Sequence, residues 1–560
     1  MKRNKLFLLL ILLLPFIGQH SAYSRCAIPS GEKETVTLFT DRSIYIAGEQ
    51  LRFFATIAED TKNNPLPSQV LYCELITPDG HKIAGYKYGI SQLTVQNCFS
   101  IPGDILTGTY YFRAYTKLMR NYGPSAYAYS QVRIVNPARN ELLVTDTHEA
   151  NSLKQVLTVK DGMFHAVSVS ADKNEYLPHD SVYLSFQVNT GPASRIKTLC
   201  LSVIPESTAT SAFVPMTEAK FNERTEYYPE TRSLSLTGKL TDTKGNTPAR
   251  GKKVNLSIIG EGRDFMAART DSGGRFFFSL PAYGGSRDLF LCAEKTEKND
   301  LRIWVDNDFC ALPVSLPSPA FVLSEKERLI VRDMALNVQI DSHFHPDTVP
   351  EPKAARSEDV AFYGKPTSVL YLDQYIQLPT LEEYFNELPG LVKVRKRNGE
   401  RYFKITGYGD LSYYDPLILV DWVAVDEPEK ILAVSPHNIL RIDLINEAYV
   451  KGGQTYGGII SIISKKGDFA GIDLPSTGIF VNYRFLSPEF CRNKADFNLP
   501  GHPDTRNTLL WKPGFNFREN DKPRAFFTAP DTPGKYLIVL EGISEEGERF
   551  STTQDFEVKN

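Results

Sequence analysis

The stretch LFTDRSIYIAGEQLRFFATI, residues 38–57, decides the fold, because its layout returns at residues 168–188 as SVSADKNEYLPHDSVYLSFQV. In each copy an aspartate (Asp41, Asp172) precedes a basic residue (Arg42, Lys173). A tyrosine follows (Tyr45, Tyr176), then a turn, then an alternating run. Leu51, Phe53, Ala55 and Ile57 recur at period two, which predicts a strand with one face on a core and the other in water. The first unit continues through VLYCELITPDGHKIAGYKY to GTYYFRAYTKLMRNYG, and the second through TLCLSVIPE. Two sandwiches of about 100 residues each, in tandem, is the economical reading.

Composition supports it. A chain of 560 residues holds roughly four or five domains of ordinary size. Its 42% hydrophobic and 23% charged content lets each unit bury a core. The 63 Lys and Arg nearly balance the 66 Asp and Glu, for a net charge of −3. Nothing electrostatic therefore favours nucleic acid as a partner. Aromatic residues at 11%, with 35 Pro and 37 Gly, suit many short strands and tight turns. The expected fold class is mainly β.

Residues 1–24 read as a signal peptide. Lys2, Arg3 and Lys5 precede the apolar run LFLLLILLLPFI (Leu6–Ile17), and Ala22–Ser24 offers a small-x-small cleavage site. That run is short of the ~20 residues a spanning helix needs. Arg25 stands where a lipoprotein signal requires a small residue, which argues against lipidation at Cys26. The seven cysteines (26, 73, 98, 200, 292, 310 and 491) contain no Cys-x-x-Cys pair, so no zinc site is expected. Export would permit disulfides within single units, as Cys73 with Cys98 or Cys292 with Cys310. The alternative is buried thiols packing as small apolar residues.

The elements DRSIYIAGEQL and GTYYFRAYT resemble the macroglobulin-type (MG2) domain of the alpha-macroglobulin family. Envelope proteins of Bacteroidota carry such domains. The resemblance implies macroglobulin-like, Ig-like sandwiches over 35–137 and 140–225. The family's Cys-Gly-Glu-Gln thioester is missing, and no cysteine is followed by glycine, which disfavours covalent protease trapping. A third unit, 230–315, runs from LTGKLTDTKGNTPARGKKVNLSIIG to ARTDSGGRFFFSLP, with turn signals at Gly245-Asn246 and Ser272-Gly273-Gly274. Gly238, Asp271, Gly274 and Phe276 make it similar to the carboxypeptidase regulatory-like domain, a small prealbumin-like sandwich of seven strands without peptidase residues.

A helix and linker are expected over 316–360. Ser324 and Glu327 form a capping box, and Leu329, Ile330, Met334 and Val338 share one helical face. His343 and His345 alternate beside Asp341 and Asp347 in a Pro-, Asp- and Ser-rich stretch. A solvated loop is favoured there over a metal site. A second capping box, Thr380 with Glu383, opens a helix in the next unit, 361–470. Asp421, Ile442, Tyr456, Gly457, Gly458, Ile462, Lys466 and Gly467 follow the pattern of the plug domain of TonB-dependent receptors, a small α+β fold. Trp422 stands where that family usually has glycine. The 92 residues after Asp468 are too few for a barrel, since even about 16 strands need roughly 150 residues. The last unit, 471–560, reads as a further β-sandwich closed by turns at Pro533-Gly534 and Glu546-Gly547.

The nucleophile elbow, the P-loop, the dinucleotide fingerprint and His-Glu-x-x-His are all absent from the sequence. Asp180 and Asp347 open the tripeptides DSV and DTV, weak acceptors for glycans. No catalytic residue, metal ligand or cofactor is assigned, and the binding residues are unknown. The expected function is that of a non-enzymatic, exported envelope protein, a multidomain binding scaffold at the outer membrane. The alternatives are an accessory subunit docking its plug-like domain to a separate barrel, or a protease decoy without thioester. The partner is expected to be another envelope protein, with no nucleic acid and no transmembrane segment in the mature chain. Its place is the periplasm, the outer membrane or the cell surface.

Overall fold

A computed structural model describes residues 33–59, 67–144, 167–188, 196–209, 226–244, 247–260, 263–294, 301–344, 361–387, 390–397, 399–407, 411–488, 491, 503–515, 524–545 and 547–559. The expected signal peptide, Cys26, the Gly245-Asn246 turn, His345 and Asp347 lie outside them. The protein is mainly β, as composition and periodicity predict.

The first unit has eight strands: β1 (Glu34–Thr40), β2 (Ile44–Ile46), β3 (Gln50–Glu59), β4 (Val70–Ile76), β5 (Lys82–Gly89), β6 (Thr94–Ser100), β7 (Gly108–Tyr115) and β8 (Ala128–Val135). They form a three-stranded sheet, β1-β3-β6, facing a five-stranded one, β2-β8-β7-β4-β5. Leu51, Phe53, Ala55 and Ile57 are fully buried between the sheets, as their alternation predicts. The opposite face of β3 is not in water, however. Phe54 and Thr56 are buried too, because Phe39 and Phe54 pack against Cys200, Ile543 and Trp511 of the second unit.

That second unit begins with β9 (Val167–Ala171), β10 (Glu175–Tyr176), β11 (Ser181–Val188) and β12 (Ile196–Pro205). It closes only with the last strands of the chain: β12 pairs antiparallel with residues 510–515 on one side and 536–544 on the other. The second and last units anticipated as separate sandwiches are thus one. A strand needs a partner on each unprotected edge, and β12 finds both of its partners some 300 residues away.

Between these halves lies the third unit: β13 (Ser235–Asp242), β14 (Lys253–Ile259), β15 (Asp264–Arg269), β16 (Arg275–Ser279), β17 (Ser286–Ala293) and β18 (Leu301–Val305). Asp271 shapes its β15–β16 turn, accepting Gly273 N–H at 2.8 Å and Arg275 N–H at 2.9 Å. Helix α1 (Glu325–Phe344) follows. Its capping box closes reciprocally, with Ser324 N–H on Glu327 at 2.7 Å and Glu327 N–H on Ser324 Oγ at 3.3 Å. The helix lays Val331, Met334, Ala335 and Val338 on Ile44 and Ile46 of the first unit. Ile330, Met334 and Val338 lie on this face as expected from sequence, whereas Leu329 is exposed.

The fourth unit comprises β19 (Ser368–Tyr371), α2 (Leu381–Glu387), β20 (Val392–Arg397), β21 (Glu400–Ile405), β22 (Leu417–Val420), β23 (Val423–Ala424), α3 (Pro428–Leu432), β24 (Ile439–Ile445), β25 (Tyr449–Lys451), β26 (Gln454–Tyr456) and β27 (Ile459–Ser464). A mixed sheet, β19-β24-β27-β22-β23, carries two helices on its apolar face, and β20-β21 and β25-β26 form separate hairpins. After it, β28 (Ile479–Arg484) pairs with β17 and completes the third unit as sheets β16-β13-β18 and β15-β14-β17-β28. Residues 479–484, expected in a C-terminal sandwich, belong here instead.

The chain then returns to the second unit through β29 (Leu510–Phe515), β30 (Arg524–Thr528), β31 (Gly534–Ser544) and β32 (Arg549–Val558). Its sheets are β30-β11-β9 and β10-β32-β31-β12-β29. Strand for strand this is the first unit's topology, down to the short parallel pairs β2–β8 and β10–β32. The repeat is therefore complete, and the third and fourth units interrupt its second copy between the fourth and fifth strands.

Candidate functional site

The repeated aspartate–tyrosine pair performs the same local task twice. Tyr45 Oη donates to Asp41 at 2.8 Å, and Arg52 N–H reaches the same carboxylate oxygen at 3.1 Å. Tyr176 Oη donates to Asp172 at 2.7 Å, and Tyr183 N–H joins at 2.9 Å. Each pair locks the turn that feeds the third strand. In the first copy the other Asp41 oxygen accepts Thr508 Oγ1 at 2.6 Å, and Arg42 donates to that hydroxyl at 2.7 Å. Arg42 also pairs with Glu49 at 2.8 Å. The buried turn thus becomes a socket for the second unit, whereas Asp172 stays in solvent.

Buried charge concentrates where the first unit meets the third. Glu74 and Arg113, both fully buried, pair at 2.7 Å. Arg113 then donates to Cys310 carbonyl at 2.8 Å, and Tyr115 Oη donates to Glu74 at 2.8 Å. Glu230 accepts Tyr72 Oη at 2.9 Å and both Ser235 N–H and Oγ–H at 2.6 and 2.7 Å. Lys87 pairs with Asp308, donates to Arg484 carbonyl at 2.7 Å and sits 3.9 Å from the Tyr483 ring centre. Burial draws the Lys87 ammonium below its ordinary value, and Asp308 offsets part of this. Burial pushes Asp308 up, but Lys87 and Lys117 outweigh it and hold its carboxyl below the usual range. Such networks leave little freedom of register, because removing one partner strands a buried charge. The groups face one another across packed strands and tie the first unit to the third.

The motif residues of the fourth unit also prove to be structural. Asp421 occupies a two-residue turn between β22 and β23. It accepts Ser464 N–H at 2.8 Å, Ser464 Oγ–H at 2.6 Å and Phe469 N–H at 2.8 Å. Ser464 Oγ in turn accepts Gly467 N–H at 2.8 Å, so the aspartate and the lysine-glycine end of the motif meet. Ile442 and Ile462 lie opposite each other in the β24–β27 ladder. Tyr456 is buried, which pushes its hydroxyl pKa up. Gly457 N–H donates to Asp415 carbonyl at 3.0 Å. Gly458 has φ +100°, and a Cβ there would come within 2.4 Å of the Ile445 carbonyl oxygen, so only glycine fits. Lys466 is exposed.

This unit is clamped to the third. Trp422, Tyr363, Tyr449 and Phe362 pack on Phe265 and Ala267 of β15. At Gly452, the tip of the β25–β26 hairpin, a Cβ would sit 1.6 Å from the Ala267 carbonyl oxygen. On another part of the unit the β20–β21 hairpin, VKVRKR…ERYFKI, divides its faces by register. Val392, Phe403 and Ile405 are buried in the core shared with α2 and α3. The opposite face carries Lys393 facing Lys404, Arg395 facing Tyr402, and Arg397 facing Glu400. Those four cations are exposed. Arg401, on the inner side, is taken up by Glu382 and Glu429. The sequence reading missed this ribbon, although its alternation around an Asn-Gly turn was a usable signal.

Among the described residues no group of three or more His, Cys, Asp or Glu is placed to hold a metal ion. His343 is exposed near the end of α1. Asp180 accepts Leu177 N–H at 3.0 Å within its turn. The cysteines differ from either anticipated pairing: Cys98 is bonded to Cys491, 393 residues away, while Cys73, Cys200, Cys292 and Cys310 are buried free thiols. Burial pushes the Cys292 thiol up to about 12, so it is inert. No described helix is long and apolar enough to cross a membrane.

Fold and surface together define a mainly β protein of nested sandwiches that carries one α+β unit. No family model and no curated protein matches the chain. Solved structures similar to it include trypsin-activated alpha-2-macroglobulin from Escherichia coli, at 10% identity and TM-score 0.22, covering 94% of this chain and 42% of that one. Salmonella alpha-2-macroglobulin reacted with methylamine gives 11% identity and TM-score 0.15, with 94% and 23% covered. Dimeric latent PorU from Porphyromonas gingivalis gives 8% identity and TM-score 0.15, with 51% and 34% covered. The chain spans less than half the length of each.

Proposed function

We propose that the protein is a non-enzymatic binding scaffold of the bacterial cell envelope, exported through its N-terminal signal and acting at the outer membrane. One observation carries this reading: the buried charges described above are spent on joining units, and the fourth unit is held by aromatic packing while its charged ribbon faces outward. An enzyme of the usual kind gathers titratable groups at a cleft. Here the strongest gatherings lie between sheets. The first two units are read as macroglobulin-like and the third as carboxypeptidase regulatory-like, both in structural roles.

The order of motif residues in the fourth unit supports a second reading, an accessory subunit whose plug-like domain docks to a separate outer-membrane barrel. Crosslinking in the native envelope, followed by solubilisation and identification of co-purifying chains, distinguishes the two. Stoichiometric recovery of a barrel favours the accessory role. Recovery of other envelope chains favours the scaffold, and recovery of the protein alone in the soluble fraction overturns both.

A further inference from the structure

Lys87 and Asp308 meet where the first unit touches the third, and each is held from several sides. Lys87 lies in β5 opposite Tyr72, and its carbonyl accepts Ser487 N–H at 2.7 Å. Its side chain is 2% exposed, and the ammonium donates to the Asp308 carboxylate and, at 2.7 Å, to the Arg484 carbonyl. Asp308 follows β18, where Arg120 clamps the chain by donating to the Asn307 and Asp308 carbonyls at 3.0 and 2.9 Å. The rings of Tyr483 and Phe309 flank the nitrogen, their centres 3.9 and 6.0 Å away.

An ion pair held in this way is also a pair of reactants. An amine and a carboxyl group fixed in contact, away from bulk water, react with the advantage of an intramolecular step. A lysine desolvated among apolar side chains becomes a nucleophile. Burial loosens the nitrogen's hold on its protons, and one proton passed along the hydrogen bond leaves a neutral amine facing a neutral acid. At the other carboxyl oxygen, Lys117 stands 3.9 Å from Oδ1. It is fixed there by the Ser235 carbonyl and Oγ at 2.9 Å each and by Glu230 at 3.5 Å. A fixed cation at that oxygen stabilises the negative charge that develops when Cγ is attacked.

We infer that Lys87 and Asp308 condense to an amide, a covalent bridge between the first and third units. Lys87 Nζ attacks Asp308 Cγ, and the new C–N bond leaves its charge on Oδ1 beside Lys117. Two protons pass in all from Nζ to Oδ2, the C–Oδ2 bond breaks, and one water leaves. Ammonium and carboxylate thus become amide and water, with no other reactant. The remaining N–H keeps the Arg484 carbonyl as its acceptor, and the amide oxygen keeps Lys117. The Asp308 side chain is 11% exposed, which gives the water a way out. The product also removes two charges from a buried seam, where desolvated charge is costly. The ion pair and its acid response belong to the chain before this step.

The test is the intact mass of the purified protein, referred to the N-terminus it carries. The sample is denatured and reduced, so that the Cys98–Cys491 disulfide makes no difference. The expected mass is about 18 Da below that of the sequence, one water for the bond formed. A tryptic digest should yield a branched peptide joining residues 83–113 to 303–326. K87R keeps a cation opposite Asp308 but offers no amine, so it should show its full sequence mass. D308A should do the same, and circular dichroism should show both variants folded. The full sequence mass in the parent, a loss of that size without the branched peptide, or the same loss in K87R would each overturn the inference.

Discussion

Trp422 holds φ at +75° beside Asp421 at +44°. A left-handed pair of this kind makes a two-residue hairpin turn, and glycine is its usual occupant. A bulky residue there is strained by roughly 1–3 kcal/mol. The strain is offset by burial: Trp422 stacks on Tyr363 with centroids 5.6 Å apart and meets Phe362 edge-on at 6.0 Å. Trp422→Gly should relieve the turn yet lose about 3–5 kcal/mol of packing, for a net loss of about 2 kcal/mol. Urea unfolding followed by Tyr and Trp fluorescence checks this; a more stable variant would show that the turn, not the docking, governs the site. The departure from the plug-domain pattern at residue 422, visible in sequence, thus has a physical account in the contact with the third unit.

At the scale of elements, α1 shows where periodicity runs out. Apolar residues at 329, 330, 331, 334, 335, 336 and 338 fit two overlapping stripes, and the sequence cannot say which one meets a partner. Ile44 and Ile46 choose the stripe around Met334. Met334→Ala should cost about 2–3 kcal/mol, while Leu329→Ala should change stability by less than about 0.5 kcal/mol. Thermal melting of the two variants tests the assignment, and equal losses would refute it. The capping box was legible because its two hydrogen bonds join residues three apart. The disulfide was not, since Cys98 and Cys491 become neighbours only after several units have assembled.

For the whole molecule, nesting makes distant segments interdependent. A chain ending at residue 500 lacks β29–β32 and leaves β12 without either neighbour. Limited proteolysis should then cut within 167–205, while the first unit, whose sheets are complete, stays protected. Protection of both segments would contradict the split sandwich. Acid should act on the seam between the first and third units. Because the folded Asp308 pKa lies below its unfolded value, about 3.9, its stabilising effect is present above that pH. It is lost as pH falls through the folded value. Asp308→Asn should lower stability at pH 7 by about 3 kcal/mol and flatten the decline below pH 4, as read by urea midpoints across pH.

The sequence by itself determined what depends on neighbours in the chain. It carried the β class, the aspartate–tyrosine turn and its repeat, the helix cap, and the turn around Asp271; the strand it expected through Asp421 is instead broken there by a two-residue turn. It also placed a small α+β unit among sandwiches. Each rests on periodicity or on hydrogen bonds spanning a few residues. Only the tertiary structure decided that the last four strands finish the second sandwich and that β28 finishes the third. It alone revealed that the outer face of β3 is covered, with Phe54 buried, while that of β11 is open, with Tyr183 exposed. The reason is physical: alternation specifies which face of a strand is apolar, but pairing partners and what covers an outer face are set by long-range packing. The charged ribbon lies between these cases, since its cations are plain in the sequence and the face they share is not.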